Sequence, residues 1–206
     1  MSPDDGLWPL PPEVQTFRQI VEATLEHLRR QSYLKEWTGW RQRVPVFDVA
    51  PVLQFADSLP ARERLVSLLI SFVRVRSGSV WEKSGGRWRR RRFSELNPLD
   101  LAEAGALGRL GDLCLFLAGV FPEHSLEHPV EARERLRLER LLDVGPPAHS
   151  EMGNGIAVLE YLGASAYRRS GEAWLSRDFT SARRLLNLVT ERHLFPLRER
   201  WFPAAG

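Results

Sequence analysis

A single cysteine, Cys114, stands in a chain of 206 residues, so no intrachain disulfide can staple the fold. Its neighbours Leu113, Leu115, Phe116 and Leu117 predict a buried thiol that behaves as a small hydrophobe, with no adjacent histidine to activate it. No run approaches the ~18 consecutive apolar residues of a helical membrane span. The opening Met1-Ser2-Pro3-Asp4-Asp5 has neither the basic nor the apolar stretch of a secretory leader. Together these absences predict a protein of a reducing compartment, read as cytoplasmic, with no membrane partner.

Several catalytic signatures are missing as well. No serine sits in a G-x-S-x-G elbow, no glycine-rich stretch carries the Lys-Ser/Thr of a phosphate loop, and none follows a strand as a dinucleotide site requires. No cofactor is implied. There is no internal repeat and no low-complexity block, which argues against solenoids and fibres.

What is present is material for a core. Apolar residues make up 43% of the chain and charged residues 27%, enough for a domain of this length to fold without a staple. Residues 1–12 read as a loose arm, and residues 13–206 as one all-α bundle of about seven helices. Val14, Phe17, Val21, Leu25 and Leu28 recur at helical spacing behind Pro11-Pro12, which predicts an amphipathic helix. Residues 38–47, with Gly39 and Pro45, read as irregular. Asp48 and Pro51 start a short helix to about Asp57, and Ser58 with Pro60 start a core helix around Leu68, Leu69 and Phe72.

Further along, Ser79–Phe93 alternates around Ser84-Gly85-Gly86, the pattern of a small β-hairpin. Asn97-Pro98 launches a long segment to Val120, with a break foreseen near Gly105 to Gly108. A charged helix follows His128-Pro129, another opens near Ser150-Glu151, and a last one carries Phe179, Ala182, Leu185, Leu186 and Val189 on one stripe.

Leu110-Gly111-Asp112, Leu115–Glu123 and Tyr161–Tyr167 resemble the core of a group of uncharacterised bacterial α-helical proteins. The resemblance spans roughly residues 60–195. It implies a helical fold and transfers no catalytic residue.

Four constellations carry candidate chemistry. His124-Ser125-Leu126-Glu127-His128 matches the H-x-x-E-H string of inverted zinc peptidases. Pro122 and Pro129 bracket the string, however, and predict a surface loop without a metal. Asp112 lies in an apolar stretch with Arg109 three residues before it, so a buried ion pair is expected there, with a general acid as the alternative. Tyr161 and Tyr167 flank the small residues 163–166 and read as a helix-packing seam in preference to a pocket.

The fourth is charge. The net charge is +3, yet Arg74–Arg92 holds eight basic residues against one acid, Glu82, so the surplus is local. Within that stretch Arg87, Trp88, Arg89, Arg90, Arg91 and Arg92 combine guanidinium groups with an aromatic ring, the chemistry of a nucleic-acid or polyanion contact. The leading expectation is a non-enzymatic interaction or assembly protein whose partner is another protein or a second copy of itself. A nucleic-acid-associated protein is the alternative, and a metal-dependent hydrolase built on Asp112 or on His124 and His128 comes third.

Overall fold

The computed structural model describes residues 12–39, 42–73, 79–84, 87–92, 98–145 and 154–194. Helix α1 (Pro12–Leu28) opens on proline and buries Phe17, Val21, Leu25 and Leu28. Strands β1 (Leu34–Gly39) and β2 (Gln42–Val46) pair antiparallel, with a bulge after Trp37. Helices α2 (Ala50–Asp57) and α3 (Leu59–Val73) follow. Strands β3 (Ser79–Ser84) and β4 (Arg87–Arg92) form a second hairpin, with Val80 opposite Arg91 and Glu82 opposite Arg89.

Helices α4 (Pro98–Glu103) and α5 (Leu107–Val120) come next. They are separated at Gly105, whose φ of +68° only glycine adopts at no steric cost. Short α6 (Pro122–Glu127) and charged α7 (Ala132–Leu141) lead to α8 (Gly155–Arg169), α9 (Ala173–Arg177) and α10 (Phe179–Val189). A π-helical turn, Thr190–Leu194, extends α10.

Helix α5 is the axis of the molecule, buried without interruption from Leu110 to Phe116. Helices α8 and α10 pack along it, α1 lies on α3, and β1 reaches α10 and α6. Close approach needs small residues: a Cβ on Gly163 of α8 would lie 2.5 Å from the Phe179 ring and 2.8 Å from Cys114 Cβ. The rings of Phe72 and Phe116 stack at 4.2 Å and close the core between α3 and α5.

The all-α class and the hairpin near 79–93 stand, and three expectations change. Among the described residues there are ten α-helices in place of about seven. The 98–120 segment divides at Gly105, and α6 and α9 are too short to show a period. Within 38–47, residues 38–39 and 42–46 are strand, because Pro45 sits in a two-stranded sheet where a missing ladder hydrogen bond is tolerated. The expected loop at His124–His128 is mostly helix. Pro122 serves as its first residue, and only His128, just before Pro129, leaves the helical region.

Candidate functional site

Two buried ionic nodes organise the helices. At the first, Asp112 on α5 is 8% exposed. Arg64 Nη2 of α3 donates to its Oδ1 at 2.5 Å, and the Tyr167 hydroxyl of α8 donates to the same oxygen at 2.8 Å. Arg109 Nη1 lies 3.7 Å from Oδ2, while the same guanidinium group sits 4.1 Å from the Phe72 ring and donates to Ser71 Oγ. Arg64 also reaches Glu172 at 3.2 Å.

Burial, reinforced by the Asp112 charge, pushes the Tyr167 phenol well above its usual value. Burial works against the charge of Arg64, yet Asp112, Tyr167 and Glu172 outweigh it and raise its pKa. The Asp112 oxygens are thus held by two arginines and a phenol. Such an arrangement ties three helices, α3, α5 and α8, together. Arg64 lies 48 residues from Asp112, beyond the reach of any local pattern. Only the Arg109 pairing was readable from spacing.

The second node centres on Arg183 of α10, a guanidinium buried almost completely. It donates to Glu36 of β1, to Glu160 of α8 at 2.6 Å and to Asn187 at 3.1 Å. Arg184 adds a second bond to Glu36 at 2.8 Å. Asn187 donates in turn to the carbonyls of Ala118 and Gly119 on α5. Through this network the β1–β2 hairpin is fastened to the helical core.

The outer side of that hairpin is open. Tyr33, Lys35, Arg43, Pro45 and Phe47 line a cleft of about 570 Å³. Phe47 is 71% exposed and Tyr33 38%, and their rings stand 5.9 Å apart. The guanidinium of Arg43 stacks 3.8 Å above the Trp37 ring and pairs with Glu191 at 2.7 Å. Exposed large apolar side chains clustered on one rigid element are the usual mark of a contact surface.

The remaining candidates are less productive. The rings of His124 and His128 stack at 4.5 Å, one turn apart after all, since α6 carries the first of them. Among the described residues no group of three or more His, Cys, Asp or Glu is placed to hold a metal ion. The Cys114 thiol is fully buried, which pushes its pKa up to about 12. Tyr161 donates to the Gly145 carbonyl while Tyr167 lies over Gly111, so the two point to different neighbours. Asn154 caps α8, its Oδ1 accepting from the Ile156 amide at 2.8 Å. A groove of about 610 Å³ beside the stacked Phe55 and Trp174 has its rim charges, Arg177 and Asp178, spent on each other. Arg87–Arg92 forms β4, and its side chains, with that of Trp88, lie outside the described residues.

No family model, curated protein or solved structure matches the chain. No helix among the described residues is long and apolar enough to cross a membrane.

Proposed function

We propose that the protein acts by contact and not by catalysis, as an interaction protein that docks a partner polypeptide on the outer face of the β1–β2 hairpin. One observation carries this reading: Tyr33 and Phe47 are exposed side by side at the end of a hairpin that Arg183 and Arg184 clamp to the core through Glu36. Aromatic anchors on a rigid support are the residues that contribute most to protein interfaces. The Asp112 node supports the same reading, because its ionic groups are engaged in holding helices together.

The test is affinity capture from the native host with nuclease treatment, comparing wild type, Phe47→Ser and Leu136→Ser. Leu136 is also exposed but lies on α7, so it controls for general stickiness. A polypeptide retained by wild type and Leu136→Ser, and lost with Phe47→Ser, is the expected result. Equal recovery on all three baits contradicts the reading.

A second reading has its own observation. Arg87–Arg92 runs as one strand of a hairpin, so five arginines are set out in a row along an extended backbone that rises about 3.3 Å per residue. If β4 engages about four phosphates, log affinity falls against log salt with a slope of ~−3 to −4. Salt-independent binding, or none at 50 mM salt, removes it.

A further inference from the structure

We infer that the hairpin cleft takes an acidic linear segment of a partner protein. Carboxylates two residues apart meet Lys35 and Arg43, and an apolar side chain settles between Tyr33 and Phe47. The inference rests on the docking reading above and adds the chemistry of the occupant.

Charge sets the first condition. Two of the five lining residues are cations and none is an acid. Of the nearby acids, Glu36 is engaged by Arg183 and Arg184, while Glu191 pairs with Arg43 itself and feels the charge of Lys35, which leaves two cations against one acid at the cleft. Among the described residues Lys35 forms no ion pair. The cleft is therefore cationic and only partly neutralised, a surface that attracts carboxylates and disfavours basic segments.

Register sets the second condition. Lys35 lies opposite Pro45, and Trp37 opposite Arg43, so Lys35 and Arg43 are diagonal neighbours across the pair. Diagonal positions of a sheet are about 7–8 Å apart. Residues i and i+2 of an extended chain point the same way and are about 6.6 Å apart. An Asp/Glu-x-Asp/Glu step thus spans the two cations.

Pro45 has no amide hydrogen to offer an added strand, so the segment is held by its side chains and not by ladder hydrogen bonds. The receptor groups are preset. Arg43 is fixed by the Trp37 ring and Glu191, and β1 is fixed by the Glu36 clamp. Binding therefore loses little to ordering.

The test uses the full chain to select from a phage-displayed library of random 12-residue peptides. Selected peptides are then synthesised and measured by fluorescence anisotropy. The expected winners carry two carboxylates at i and i+2 beside an aromatic or aliphatic residue. Their affinity falls at least tenfold with Lys35→Glu and weakens on raising salt. It is unchanged by Arg133→Glu, a charge reversal on the exposed side of α7. Lys35→Gln, a mild change at an exposed side chain, gives the same direction with a smaller loss and guards against misfolding of the reversal.

Neutral apolar winners that bind Lys35→Glu normally but not Phe47→Ser overturn the acidic chemistry and leave the docking reading standing. No selectable peptide, or winners indifferent to both positions, overturns the inference and the docking reading together.

Discussion

Arg183 holds Glu36 in an ion pair that joins residues 147 positions apart and fastens a surface hairpin to the centre of a helical domain. Arg183 is 1% exposed, and burial opposes its charge, but Glu160 and Glu36 raise its pKa and keep it ionised. Removing one partner of such a pair strands the others in a poorly solvated place. Arg183→Ala is expected to cost about 3–5 kcal/mol on that ground. Urea denaturation checks it, and a loss below about 1 kcal/mol would show that the node bears little of the fold's stability.

The Asp112 node predicts an alkaline effect. The folded-state pKa of Tyr167 is raised by burial and by Asp112, so its contribution is complete below the unfolded value of ~10 and is lost as pH rises toward the folded value. Wild type should lose stability above that pH more steeply than Tyr167→Phe. Near neutral pH the same substitution deletes a hydrogen bond to a carboxylate, worth ~1.5–3 kcal/mol. Parallel pH profiles for the two proteins would contradict the placement of the phenol.

Near the π-helical turn, Arg192 Nη1 lies 2.9 Å from His27 Nε2. Arginine only donates, so that nitrogen accepts and the imidazole is neutral. Burial, then Arg192 and Arg30, lower the pKa of His27. A lowered folded pKa gives stability that is present above ~6.5 and lost as pH falls below it. His27→Gln should flatten the acid side of the thermal-melt profile between about pH 6.5 and 5, whereas an unchanged slope would remove His27 as the titrating group.

Helix stripes were legible in the sequence wherever the apolar period ran for three turns. Phe17, Val21, Leu25 and Leu28 in α1, and Phe179, Ala182, Leu185, Leu186 and Val189 in α10, are all buried. The break between α4 and α5 was readable from the helix cost of glycine near 105–108, and the structure places it at Gly105, whose φ is positive. The β1–β2 hairpin was not legible. Its bulge after Trp37 breaks the alternation, and Pro45 reads as a breaker until a two-stranded sheet excuses it. The site partners were hidden for a different reason: Arg64 to Asp112 and Arg183 to Glu36 are contacts of tertiary structure, and no local spacing encodes them.

Core packing gives a further check. Phe116 is 1% exposed, stacks on Phe72 and meets Phe121 edge-on at 5.6 Å. Phe116→Ala should cost ~3–5 kcal/mol in chemical denaturation, because the rings around it cannot collapse far into the space left. A cost under about 1 kcal/mol would place the residue outside the core.

The docking face is tested most directly by a photo-crosslinking amino acid placed at position 47 in the host cell. Phe47 is the most exposed of the large apolar side chains among the described residues, so the probe should leave the fold intact. One discrete adduct with another polypeptide at position 47, absent when the probe is placed at Leu136 and reduced by Lys35→Glu, is the predicted result. No adduct at 47, or the same adducts at both positions, would contradict the proposal that the β1–β2 hairpin docks a partner.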